Sequence, residues 1–310
     1  MKVIYGLDKI KKIRKAVVAL GVFDGMHLAH RYILNEAVKK ARRSRGNSVV
    51  VTFYPHPQKE KSLYSLEHRL RLMAELGIDI CIVIKFTRAF SRITAVKFIR
   101  DILVGKIGAE FVFVGRNFRF GFEAAGDYKL LEKMSAIYNY SVRVFDIISA
   151  KYGRVSSTYI RKLVTSGNLK AAQELLLKPV SVLGTVIKGI SLARKLGFPT
   201  ANIDPHHEIL PPSGVYLVKV IFKGKIFNGV CNIGSKPTVS ENKKTTGGER
   251  DKHVEVYIFN FNKNIYGKDL EIQFVRKLRN ERKFSSIKLL AEQIRKDISL
   301  AKKILSSRRN

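Results

Sequence analysis

Two histidines three residues apart, His27 and His30, follow a glycine, an aromatic, a carboxylate and a second glycine: Gly21, Phe23, Asp24 and Gly25. Imidazoles at i and i+3 share one face of a helix, so both rings can meet one anion. Glycines let backbone amides approach a phosphate, and a helix N-terminus adds free N–H donors and positive dipole. The combination suits electrostatic stabilisation of charge on phosphorus, with no covalent intermediate. Spacing alone leaves open a metal pair without a third nearby ligand, or two surface residues without a role. Further on, Pro199 rigidifies a turn before Thr200 and Asn202. Their oxygens lie on alternate positions of an extended segment, hence on one side. With phosphate oxygens and water they suit Mg²⁺, though a well-satisfied turn reads the same way. Glu255 stands between Val254 and Val256 and, in a strand, points to the opposite face from both. That face is either a cleft or the site of a cross-strand salt bridge.

These groups need elements to hold them. Ala16–Leu20 reads as a short buried strand and Ala29–Arg43 as a helix with Ile33, Ala37 and Ala41 on one face. Strands follow at 48–53, 80–84, 111–115 and 141–148, with helices at 66–76 and 95–103. Such alternation predicts a parallel sheet covered by helices. A helical stretch, 157–177, ends near Pro179. Beyond it, strands at 180–188, 214–222, 225–233, 253–260 and 269–278 succeed one another without helices, predicting an antiparallel barrel or sandwich. The tail, 286–305, carries Ile287, Leu290, Ile294, Ile298 and Ala301 in one helical stripe, which packs on its own domain. The boundary falls between residues 178 and 182, giving domains 1–180 and 181–310.

Four ordered motifs carry a resemblance. GVFDGMHLAH (21–30) resembles the G-x-F-D-G-x-H-x-G-H signature of nucleotidylyltransferases, specifically the FAD synthetase module of bacterial bifunctional riboflavin kinase/FAD synthetases. TFYPHP (52–57), VGRNFRFG (114–121, followed by Ala125-Gly126-Asp127) and SSTYIR (156–161) are similar to that module's later motifs, in order. In the second half, GTVIKGISLARKLGFPTAN (184–202) resembles the phosphate-binding flap and P-T-A-N signature of riboflavin kinases. GVYLVKV, NIGSKPT, VEVYIFNF, YGKDLEIQFVRKLRNERKF and EQIRKD follow in that family's order across nearly all of residues 182–303.

The resemblance implies a Rossmann-like nucleotidylyltransferase domain of α/β class, then an all-β six-stranded Greek-key barrel with a C-terminal helix. It also implies roles. His27 and His30 contact ATP phosphates at the transition state, on a turn that includes Gly21, Phe23 and Asp24. Ser157, Thr158 and Arg161 hold the triphosphate from a helix start; simple capping uses the same amides. Asn117 and His56 lie near the flavin–ATP junction. Gly184, Lys188 and Gly189 belong to the kinase's nucleotide flap. Thr200 and Asn202 organise Mg-ATP, and Glu255 is the general base toward the riboflavin 5′-hydroxyl. Arg279 and Glu281 lie in the loop closing over flavin. The implied reactions are phosphorylation of riboflavin to FMN, then adenylylation of FMN to FAD with release of pyrophosphate. ATP is co-substrate and Mg²⁺ the cofactor. Two departures stand out: Ala29 and Ala193 occupy positions where the family patterns have glycine.

Composition sets outer bounds. At 310 residues the chain accommodates two domains of about 150 residues each. An apolar content of 45% with only 8 prolines argues against disorder beyond short loops. The two cysteines, Cys81 and Cys231, lie in apolar runs without metal spacing, which suits a reducing compartment. No apolar run reaches the roughly 20 residues that span a bilayer, and no signal-peptide pattern is read, so the expected location is the cytoplasm with no membrane partner. A net charge of +33 draws polyanions. Nucleic-acid binding is therefore the competing class, and it predicts steeply salt-dependent binding. Charge is a poor guide to specific activity, so nucleic acid is not taken as the main partner. Oligomeric state stays open.

Overall fold

A computed structural model describes residues 1–57, 61–150, 153–189, 196–235 and 252–307. Ala193, with its neighbour Arg194, lies outside these residues, as does all but Lys252 of the polar stretch 240–252, read from sequence as a mobile loop. The chain forms two compact units: Met1–Ile160 with Leu175–Leu177, and Arg161–Glu174 with Lys178–Asn310. Among the described residues, no helix is long and apolar enough to cross a membrane.

The first unit is a parallel sheet with helices. Its main elements are β1 (Lys2–Tyr5), β2 (Ala16–Leu20), α1 (Leu28–Arg43), β3 (Asn47–Tyr54), α2 (Leu66–Glu75), β4 (Ile80–Lys85), α3 (Ala95–Lys97), β5 (Ala109–Gly115), α4 (Tyr128–Tyr138) and β6 (Ser141–Phe145), with short helical turns at Arg88–Ser91 and Phe122–Ala124. The sheet order is β1-β4-β3-β2-β5-β6. Central β2 is buried along its whole length, with Val18 paired to Val49 on one side and Val112 on the other. Full burial of each such side chain contributes about 1.5–3 kcal/mol. α1 closes over this centre through Ile33, Leu34, Ala37 and Ala41. The helix expected over 95–103 runs further, because α3 continues as a π-helix through Ile107 and stops at left-handed Gly108. A small pair, β7 (Ser149–Ala150) and β8 (Gly153–Arg154), precedes α5 (Ser157–Ser166) and α6 (Leu169–Leu176). The helix expected over 157–177 therefore breaks. Gly167 adopts φ +84°, and the Asn168 side chain accepts from the Ala171 amide to start the next segment.

The second unit is a closed barrel in the order β10-β13-β12-β11-β14-β9. The strands are β9 (Ser181–Ile187), β10 (Thr200–Asp204), β11 (Gly214–Phe222), β12 (Lys225–Ser235), β13 (Lys252–Ile258) and β14 (Asp269–Arg279). All pairings are antiparallel, and the order makes a Greek key, with β13 returning to β10 rather than to β14. Val182, Tyr216, Val218, Val220, Cys231 and Val256 fill the interior. The terminal helix α7 (Ile287–Ser306) packs outside the wall: Ala301, Ile298, Ile304 and Leu305 meet Val215, Leu217, Val230 and Phe259. Ile287 departs from the expected stripe. It is the first residue after the Ser286 cap and is 58% exposed.

Candidate functional site

In the first unit, the crossover from one side of β2 to the other makes a switch point between β2 and β5, where ligands bind in open α/β sheets. β2 runs into a turn of unusual backbone. Phe23, Gly25 and Met26 have φ of +52°, +84° and +46°. Holding the two non-glycine residues there costs of order 1 kcal/mol each, strain typical of functional turns. Packing compensates: a Cβ on Gly21 would lie 2.9 Å from the buried Phe23 ring, and one on Gly25 would lie 2.5 Å from Leu63 Cδ1. Asp24 is buried. Its carboxylate accepts from the Leu63 and Tyr64 amides at 3.1 and 3.3 Å, and its carbonyl accepts from the Ser157 hydroxyl at 2.7 Å. These bonds tie the turn to the segment before α2 and to the start of α5, where Ser156 Oγ caps the Tyr159 amide.

His27 is the N-cap of α1. Its Nδ1 accepts from the His30 amide at 3.5 Å, so a neutral ring carries its proton on Nε2. The two rings stack with centroids 3.6 Å apart, and His30 meets the edge of Phe23 at 5.3 Å. Burial pushes His27 down to about 4. Burial, then the nearness of His27 and Arg69, holds His30 well below the usual imidazole range. Both rings are therefore neutral at pH 7, and each has one N–H to offer at a helix start with no acidic residue in its first turn. Ala29 lies half-buried in that turn. His56 follows β3 and is half-buried, while Asn117 follows β5 and is exposed. Asn117 Oδ1 and Ile33 Cδ1 would lie 3.2 and 3.9 Å from a Cβ on Gly115, which brings the Asn117 loop beside α1. Thr158 begins α5 beside Ser157, and Arg161 comes one turn later on the same helix. Sequence reasoning missed Arg69, almost fully buried behind the turn.

In the second unit, pairing assembles the row that spacing suggested. Asn202 stands directly opposite Glu255, and Thr200 opposite Tyr257. Val254 and Val256 point into the barrel, so Thr200, Asn202 and Glu255 share the outer face. On the other side of Glu255 stands Asn232, which the sequence did not single out because its partner strand is unknowable without the register. A cavity of about 480 Å³ is lined by Pro199, Thr200, Val256, Phe261 and Tyr266 among others. Thr200 lines it, whereas Asn202 and Glu255 stand two pairs further along the wall, beyond Ala201 and Val256.

The remaining expected residues take distinct places. Gly184 is inside the wall: a Cβ there would meet the Asp204 carbonyl oxygen and Ile203 Cγ2, each at 2.4 Å, so its absence lets β10 pack close. Lys188 and Gly189 follow β9 on the surface, and a Cβ on Gly189 would fall 2.1 Å from Asn202 Nδ2. Arg279 ends β14 and is held by buried Asp297 of α7 through Nε at 2.9 and 3.0 Å and Nη2 at 2.8 Å. Gln293 supports Asp297 at 2.8 Å and accepts from Arg282 at 2.5 Å. α7 thus anchors the loop that carries Glu281. That carboxylate lies against Gly234, where a Cβ would be 2.7 Å from Oε1 and 2.6 Å from His253 Cε1. His253 Nε2 is 3.9 Å from Glu255 Oε1. The donors of Thr200, Asn202 and Glu255 are all oxygens or can present one, which fits Mg²⁺ shared with phosphate. Among the described residues no cluster of three or more His, Cys, Asp or Glu could hold a metal by itself.

A parallel α/β unit with an anion-ready turn, and a Greek-key barrel with an oxygen-rich outer row, together define a two-domain nucleotide-dependent transferase. Family comparison agrees: residues 9–159 match the FAD synthetase family and residues 176–305 the riboflavin kinase family. The chain belongs to the bifunctional riboflavin kinase/FMN adenylyltransferase family. It is 38% identical over 315 residues to the enzyme of that name from Buchnera aphidicola subsp. Schizaphis graminum, covering 98% of each. It is 34% identical to that of Escherichia coli strain K12, covering 96% of each, and 34% identical to that of Bacillus subtilis strain 168, covering 91% and 90%. A solved structure described as a macrolide-efflux protein from Streptococcus pneumoniae superposes with a TM-score of 0.80 at 26% identity, covering 97% of this chain and 99% of that one.

Proposed function

We propose that the barrel phosphorylates riboflavin and the α/β unit adenylylates the resulting FMN, each at the residues named above, within domains 1–180 and 181–310. In the barrel, Glu255 accepts the proton of the riboflavin 5′-hydroxyl as that oxygen attacks the γ-phosphorus of ATP. The new O–P bond forms as the bond to the β-phosphate oxygen breaks, and ADP leaves. Asn202 and Thr200 would hold Mg²⁺, which when bound neutralises charge on the phosphate oxygens. Gly189 leaves room for the Asn202 amide, and the Arg279–Asp297 pair fixes the loop of Glu281 toward flavin.

In the α/β unit an oxygen of the FMN phosphate attacks the α-phosphorus of a second ATP, and pyrophosphate leaves. The phosphate nucleophile is already ionised, so no strong base is required. His27 and His30 donate hydrogen bonds to oxygens whose charge grows, with the amides of the α1 start beside them. Ser157, Thr158 and Arg161 serve the triphosphate, and His56 and Asn117 the flavin side. Asp24 acts through the turn: its carboxylate holds backbone amides. The two free, buried cysteines suit a reducing cytoplasm. The efflux named for the streptococcal neighbour is not carried over.

One observation supports this reading most: strand pairing sets Glu255 beside Asn202 on one face of the unit that matches riboflavin kinases. Its test is incubation of the protein with riboflavin, ATP and Mg²⁺, with FMN separated from FAD. Glu255→Gln is expected to lower FMN formation by about 10²-fold or more and to leave FAD formation from added FMN unchanged. His27→Ala is expected to lower FAD formation by about 10²-fold and spare the kinase. Loss of both activities in either folded variant overturns the separate-site reading.

A further inference from the structure

Arg69 is 2% exposed and heads the largest fully buried side chains among the described residues. A guanidinium so placed normally sits on a carboxylate, because a buried charge without a counter-charge is costly. Here both of its acceptors are neutral: Nη1 donates to the Val22 carbonyl at 2.6 Å and approaches Thr52 Oγ1 at 3.3 Å. Its Nε is buried without a hydrogen-bond partner. Asp24 is near enough to act on it, yet directs its oxygens to the Leu63 and Tyr64 amides. On the same turn a second buried polar atom, His30 Nδ1, also has no partner. Val22 precedes the strained Phe23, and Thr52 opens the segment that leads to His56. Thr52 itself donates to the Val22 carbonyl at 2.8 Å, so that carbonyl does not depend on Arg69.

We propose that Arg69 is a positioning residue of the adenylyltransferase reaction: a buried cation fixed behind the histidine turn, which Asp24 attracts without a direct ion pair and whose charge is met in full only by the polyphosphate of the nucleotide. This rests on the reading of that turn as the triphosphate site. Arg69 does not touch the reacting atoms. It gives the turn a positive potential in a low-dielectric setting, where a nearby anion gains most.

The test compares full-length wild type, Arg69→Met and Arg69→Lys, with riboflavin phosphorylation in the same chain as control. Arg69→Met is expected to raise the KM for ATP in FAD formation about tenfold, change kcat less than about threefold, and leave Tm equal or higher. Arg69→Lys keeps the charge and is expected to stay within about threefold of wild type in that KM. Kinase activity should be unchanged in both. An unchanged KM in Arg69→Met, or an Arg69→Lys as impaired as Arg69→Met, overturns the proposal. If Arg69→Met loses kinase activity as well, the chain has failed to fold. Arg69→Gln, which keeps a donor for Val22, then replaces it under the same criteria. A wild type that makes FMN but no FAD overturns the reading of the site itself, and the proposal with it.

Discussion

Burial holds His27 at about 4, whereas an imidazole in the unfolded chain titrates near 6.5. Between those values the unfolded state binds a proton that the folded state refuses. The stabilisation is complete above the unfolded value and is lost as pH falls toward 4. For His27 alone the loss by pH 5 is about 2 kcal/mol, and His30 is shifted in the same direction. Thermal melts of wild type from pH 7.5 to 5 should therefore fall more steeply than those of His27→Gln; parallel curves would refute the neutral buried ring. That the two rings lie together was legible from sequence, because their spacing fits a single helix turn. Asn232 and Asp297 stood inside quoted motifs, NIGSKPT and EQIRKD, but no role could be read for them. Asn232 joins the site only through a strand pair, and Asp297 sits on the apolar stripe of α7, where an isolated Asp reads as solvent-facing until Arg279 is placed against it.

Among elements, the terminal helix has the clearest leverage on chemistry. Asp297→Ala leaves the half-buried Arg279 charge without its bidentate partner, a loss of about 3–5 kcal/mol for a buried pair. A lower Tm and a raised KM for riboflavin are expected, with the KM for FMN in adenylylation unchanged. The end of β9 gives a second handle. Gly189→Ala puts a methyl group on the Asn202 amide, so the KM for Mg-ATP in phosphorylation should rise about tenfold while FAD formation from FMN is unaffected. The alternation of strands and helices was readable because apolar periodicity changes sharply between them. Edge strand β1 was not, since its four residues KVIY include Lys2 and carry too short a pattern. β10 was read only as an extended segment, because TANID has few strand-favouring residues and is held by its neighbours β9 and β13. The π-helical run to Ile107 follows no sequence period that distinguishes it from an α-helix.

For the molecule as a whole, the two activities reside in differently built parts of one chain, the riboflavin kinase part making the FMN that the FAD synthetase part consumes. Glu255→Gln and His27→Ala should each fail to make FAD from riboflavin, and an equimolar mixture of the two should regain it; a mixture that stays inactive would show that FMN must pass within one molecule. The change in pattern near residue 180 was visible in the sequence. The contact-based division is less simple, because Arg161–Glu174 groups with the barrel and Leu175–Leu177 with the sheet, a long-range preference no local pattern encodes. Closure of the barrel carries one more consequence. β13 is gripped on both flanks, by β10 and by β12, so two independent ladders fix which of its residues look outward. The connection across residues 236–251 is thereby relieved of setting alignment. Lengthening it, or grafting a foreign peptide into it, should leave the carboxylate at 255 aimed as before, which makes that stretch a natural place to attach a label or a fusion partner.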